Sequence, residues 1–191
     1  MRFRLFAVAA VVAMTCLSAH AQIGLYFNPV VSRISNSPDT GPFAFLGDGA
    51  ASQIFGGVDF GGYYDFVHFA KLDIGADMRD TIQHGNNASL NSFTVGIHVA
   101  AKPLAHGLKP YAELSFGDGR TRPPLSTVHV NKLEYDITGG VDRALNRHVD
   151  WRIVEIGYGG VTTISSNTFG GPQIPMAKLL NFSTGLVFRI R

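Results

Sequence analysis

The sequence predicts an all-β fold, an eight-stranded antiparallel up-and-down barrel that crosses a membrane and is preceded by a signal peptide. Three observations carry this. The chain opens with an export segment. Beyond residue 22 no apolar run is long enough to span a bilayer as a helix. The hydrophobic residues there come instead in eight short stretches with a period of two, separated by Gly, Pro, Asn, Asp and Ser.

The export segment has three parts. Arg2 and Arg4 form a basic start, Leu5 to Leu17 an apolar run, and Ser18-Ala19-His20-Ala21 a small-residue cleavage site. Cleavage is expected after Ala21, giving a signal peptide over 1–21 and a barrel domain over 22–191. The single cysteine, Cys16, leaves with the signal peptide, so the barrel has neither disulfides nor thiolate metal sites. Loss of Arg2 and Arg4 also leaves 14 basic residues against 14 acidic ones. The precursor's net charge of +2 is therefore no argument for nucleic-acid binding.

Four stretches alternate cleanly. In the third, Ala70, Leu72, Ile74, Ala76 and Met78 alternate with Lys71, Asp73, Asp77 and Arg79. The fourth sets Phe93, Val95, Ile97 and Val99 against Ser92, Thr94 and His98. The sixth sets Leu133, Tyr135, Ile137 and Val141 against Lys132, Glu134, Asp136 and Thr138. The eighth sets Leu180, Phe182, Leu186, Phe188 and Ile190 against Asn181, Ser183 and Arg189. The second, fifth and seventh stretches show the same order with interruptions: Val58 and Phe60 against Asp59 and Asp65, Leu114 and Phe116 against Glu113, and Val154 and Ile156 against Glu155. The first, Ile23 to Arg33, contains Pro29. A bulge is expected there, which leaves open the face that follows it.

A soluble lipocalin-like barrel also alternates, with its apolar face inward. Three features favour the membrane. Three of the four connections after odd strands (35–53, 83–90, 117–129 and 163–177) exceed every connection after an even strand (67–68, 102–109 and 143–150), and 83–90 equals the longest of these. Tyr26, Phe66, Phe69, Tyr111, Trp151 and Phe188 lie near strand ends, where interfacial girdles form. The stretches run to about 9–12 residues, enough for a tilted strand to cross.

The segments Trp151 to Tyr158 and Asn181 to Arg191 resemble the closing strands of the outer membrane protein β-barrel family, similar to the membrane domain of outer membrane protein A. The resemblance implies a bacterial outer-membrane location, with lipid and lipopolysaccharide around the barrel. It also implies a final strand read by the barrel-assembly machinery through Leu186, Phe188 and Ile190.

An eight-stranded barrel is just wide enough for side chains to fill it. Its expected lumen residues are Asp59, Asp65, Lys71, Asp73, Asp77, Arg79, His98, Glu113, Lys132, Glu134, Asp136, Glu155 and Arg189. Charges of both signs at these positions read as a structural ionic network. Acids outnumber bases, so any permeation would favour cations.

Some small outer-membrane barrels modify lipid A, and Ser126, His129 and Glu134 are the residues such a hydrolase would use here. Ser126 and His129 flank Arg122-Pro123-Pro124 without a recognised spacing, and no enzyme activity is expected. The histidines at 68, 84, 98, 106, 129 and 148 are scattered, so no metal or cofactor is expected either. Gly61-Gly62, Gly139-Gly140 and Gly159-Gly160 fall within strands and ease barrel curvature. Gly117-Asp118-Gly119 reads as a turn. Loop 35–53, with Phe43, Phe45 and Leu46, is either a surface-ligand loop or a plug over the barrel mouth.

Overall fold

The computed structural model describes residues 22–35, 52–85, 88–122, 130–162 and 176–190. Eight strands form one closed antiparallel barrel in the order β1-β2-β3-β4-β5-β6-β7-β8. They are β1 (Gln22–Ser35), β2 (Ser52–His68), β3 (Leu72–Gly85), β4 (Ala88–Ala101), β5 (Leu108–Arg122), β6 (Val130–Ala144), β7 (Val149–Thr162) and β8 (Met176–Ile190). Closure gives every strand two neighbours, which removes the unpaired edges an open sheet would carry. Among the described residues, no helix is long and apolar enough to cross a membrane.

Period-two alternation sorts the side chains cleanly. One row facing outward runs Ala76, Ile97, Leu114, Ile137 and Tyr158, joined across β3 to β7 by the strand register. Together with Leu25, Phe27, Phe93, Val95, Phe116, Phe182 and Phe188 it makes an exposed apolar surface around the barrel. In water such a surface would drive association, whereas hydrocarbon covers it without cost. Ile137→Arg, in the middle of this row, should destabilise the folded barrel by about 2–4 kcal/mol in lipid vesicles. Urea titration of the reconstituted protein measures this.

The strands are longer than the alternating stretches. They run from 14 residues in β1 to 17 in β2. Gly117, Asp118, Gly119 and Arg120 form no turn but continue β5, paired with Glu134, Leu133, Lys132 and Asn131 of β6. Gln83 to Gly85 and Ala88 to Leu90 likewise pair with each other, so the third connection shrinks to residues 86–87. In these extensions the outer face carries polar residues such as His84, Asp118 and Arg120, so the alternation is lost while the ladder goes on.

The even connections are tight. Residues 69–71 link β2 to β3 and residues 145–148 link β6 to β7. Between β4 and β5 a short 3-10 turn, Ala105–Gly107, takes His106 and Gly107 through positive φ (62° and 72°). Glycine enters that region freely, and histidine more readily than most residues.

Pro29 does not bulge. The β1–β2 register runs unbroken through Pro29 and Val58. The β1–β8 ladder keeps its register too, but skips Asn28 and Pro29. The proline is thus accommodated by lost rungs on one side, and Asn28, Val30, Ser32 and Ile34 all stay on the inner face. Register shifts occur instead near Phe66 in β2 and between Arg152 and Glu155 in β7.

Candidate functional site: the barrel interior

The inward side chains form layers. Near the ends of β1, β2, β4, β7 and β8 that border the odd connections, Ile34, Phe55, Ala88, Leu90, Val161, Ala177 and Leu179 make one buried apolar cluster, each no more than 2% exposed. Sequence alternation alone missed this layer, because these residues sit where the strands look like loop.

Beneath it lies a layer of neutral and acidic groups. Gln83 Nε2 donates to Ser32 Oγ, and Ser32 Oγ donates to Asn181 Oδ1, each at 2.5 Å. Ser92 Oγ donates to Glu134 at 2.6 Å, and Asn181 Nδ2 to Asp136 at 3.0 Å.

The centre is ionic. Arg79 on β3 donates to both oxygens of Glu155, at 2.6 and 3.0 Å, and to Glu113 at 3.1 Å. It also lies 3.7 Å from Asp59. Arg152 on β7 donates to Asp142 at 3.1 Å and to Glu155 at 2.9 Å. Its guanidinium sits 4.7 Å from the Tyr26 ring centre and 4.6 Å from that of Tyr111, so charge and π-faces add. Tyr26 donates to Asp77, Tyr111 and Ser183 to Glu155, and Asn28 to Asp59. Glu155 is the node, served by both arginines and two hydroxyls. Such forked pairing is what makes buried charge tolerable.

Towards the opposite end the interior opens into a cavity with about 160 Å³ of free space. Its wall includes Tyr63, Asp65, His98, Tyr111 and Arg189. His98 stacks on Tyr63 at 4.4 Å and bonds Asp65 at 3.3 Å. Asp150 is held by Arg189 and Lys109, each at 2.6 Å. At the rim, Asp73 is shared by His68, at 2.7 Å, and Lys102.

Room for the inner tyrosines comes from glycines on neighbouring strands. A Cβ at Gly61 would lie 2.5 Å from the Tyr26 hydroxyl, and one at Gly140 would lie 2.5 Å from that of Tyr111. Gly140→Val should therefore displace Tyr111 and destabilise the barrel by about 1–3 kcal/mol. A lower urea midpoint with unchanged final fold is the expected result.

Comparison with solved structures follows from this architecture. Neisserial surface protein A superposes with a TM-score of 0.55 at 13% identity, over 87% of this chain and 96% of that one. Ail, the attachment invasion locus protein of Yersinia pestis, gives 0.53 at 10% identity, over 89% and 99%. The fold is that of the small outer-membrane β-barrels. No family model matches the sequence, and no curated protein does.

Within this barrel, Asp59, Asp65, Asp73, Asp77, Glu113, Lys132, Glu134, Asp136, Glu155 and Arg189 are buried on the inner face, as is His98. Arg79 joins them, with its side chain 11% exposed. Lys71 does not. Strand β2 runs on to His68, so Lys71 falls in the turn and is exposed, with its carbonyl accepting from the Lys102 amide. Tyr26 and Tyr111 are not girdle residues either, but pack inside around Arg152. Phe66, Phe69, Trp151 and Phe188 do face outward.

The main residue missed by the sequence reading is Arg152. Strict alternation sets it beside Val154 and Ile156 on the outer face, but the bulge before Glu155 puts both Arg152 and Glu155 inside the barrel. Leu186, Phe188 and Ile190 lie on the outer, exposed side of β8. Ser126 and His129 fall outside the described residues, as does most of loop 35–53, while Glu134 is bonded to Ser92 inside the barrel. Among the described residues, no group of three or more His, Cys, Asp or Glu is placed to hold a metal ion.

Proposed function

We propose that this protein is a closed structural barrel of a bacterial outer membrane that carries its activity in its outward loops, for surface interaction. Residues 1–21 act as the signal peptide, and the final strand presents Leu186, Phe188 and Ile190 to the barrel-assembly machinery. The observation that carries this reading is the filled interior: a buried apolar layer stands above a charge network in which two arginines bind four carboxylates. A lumen packed this way stabilises the barrel and leaves no evident path for ions. The loops, with loop 35–53 foremost, are then where a surface ligand or lipopolysaccharide would be met. The two solved barrels described by name as a surface protein and an attachment invasion locus protein support a role of this kind.

Two measurements test it. Purified protein in planar bilayers is expected to show no unitary conductance, and discrete cation-selective steps would replace the closed-barrel reading with a narrow pore. Deleting residues 38–48 should abolish surface binding with the bilayer current still absent. New conductance with binding intact would make that loop a plug.

A further inference from the structure

The turn end of the barrel is uniform in charge. Three connections lie there, residues 69–71, 102–107 and 145–148. Lys71, Arg143 and Arg147 are exposed in or beside them, and Lys102 is half-buried. Among the described residues, every acid at this end is buried and turned inward: Asp65, Asp73, Asp142 and Asp150. Each is already held, by His98, by His68 and Lys102, by Arg152, and by Lys109 and Arg189. The other polar side chains of the turns, His106, Asn146 and His148, bring no negative charge. The loop end differs, since Asp118 faces outward there with Arg120.

Each turn also exposes one large apolar side chain. Phe69, Leu104 and Leu145 are 55%, 58% and 58% exposed. Turns that stand in water favour Gly, Asn, Asp and Ser instead. These turns are too short to project far. They leave the strands where the outward residues are still apolar, at Phe66, Leu72 and Trp151. Arg143 itself faces outward as the register partner of Trp151. The apolar tips therefore sit at the edge of the outer apolar surface, where a bilayer has its headgroups.

We propose that this rim binds the anionic headgroups of a phospholipid leaflet, with Lys71, Arg143 and Arg147 on the phosphates and Phe69, Leu104 and Leu145 among the uppermost acyl carbons. Basic side chains beside a bilayer attract anionic lipid over about a Debye length, and apolar tips next to them add burial. A soluble acidic partner would satisfy the charges but not these tips. The proposal rests on the reading of the chain as an outer-membrane barrel with its long loops outward, so the leaflet is the periplasmic one.

Trp151, the only tryptophan of the chain, stands on this rim and reports on it. The full chain as exported, purified folded in detergent, is placed in vesicles of phosphatidylcholine and phosphatidylglycerol, with bromine on the acyl chains of one lipid or the other. Bromine quenches tryptophan on contact, so the fluorescence lost shows which lipid borders Trp151. Brominated phosphatidylglycerol should quench about twofold more than brominated phosphatidylcholine at equal fraction, and raised salt should bring the two together. Lys71→Gln, Arg143→Gln and Arg147→Gln combined should remove the preference. Arg33→Gln with Lys178→Gln, at the other end, should keep it. The salt series needs only the wild type, and decides the matter if the triple variant fails to fold. Equal quenching by both lipids at low salt would overturn the proposal, leave the barrel in place and turn these cations to a soluble acidic partner. A folded triple variant that keeps the preference would sink it too, by placing the anionic lipid elsewhere. No quenching by either lipid, with no gel shift on heating, would remove the membrane barrel and this rim with it.

Discussion

Arg152→Met should cost the folded barrel about 3–5 kcal/mol. Arg152 is 1% exposed, bonds Asp142 and Glu155, and lies against Tyr26 and Tyr111. Methionine fills similar space but leaves Asp142 buried without its cation. Arg79 alone must then serve Glu155 as well as Glu113. Arg152→Lys should fall between, since it keeps the charge and loses the planar fork. Urea titration in lipid vesicles, followed by the gel shift on heating, separates the three proteins. A loss below about 1 kcal/mol for Arg152→Met would mean that the carboxylates are neutralised by other means.

Phe55→Ala should cost about 3–5 kcal/mol by a different route. Phe55 is fully buried in the apolar layer with Ile34, Leu90 and Leu179. Its truncation removes ring area from that contact and leaves a void that strands fixed by a closed ladder have little freedom to fill. Phe55→Leu should recover most of the loss. The same urea titration measures both, and an Ala variant as stable as wild type would show that the layer is not packed. Phe60→Ala, at an outward-facing ring, serves as the comparison, because in lipid vesicles that position meets hydrocarbon rather than the interior layer.

How much of this was legible in the sequence depends on where alternation holds. The eight strands, the outward apolar rows and the inner positions of Asp59, Asp77, Glu113, Asp136 and Arg189 follow from parity. Arg152 does not, because a single extra residue in β7 reverses the faces before it. Lys71 was misplaced because β2 runs to His68 before turning. The apolar layer was hidden because Ile34, Leu90 and Leu179 stand among polar neighbours that read as loop ends. Tyr26 and Tyr111 look like interface residues by their place near strand ends, and the partners that hold them inside are glycines far away in sequence. Gly61 and Gly140 carry that signal, but only once the register is known.

Pro29 has a consequence for assembly. The β1–β8 seam joins Ile23 to Ile190, so it closes only after the intervening strands are in place. Until then β1 and β8 are open flanks, and each offers a template on which another chain could add a strand. Pro29 stands midway along β1 and withholds a hydrogen where an incoming strand would need one. Once closed, the barrel tolerates two absent rungs at that seam because the rest of the ladder is fixed. A stray chain has no such support. The residue that looks like a flaw in the finished barrel is thus a guard against polymerisation while it is still unfinished.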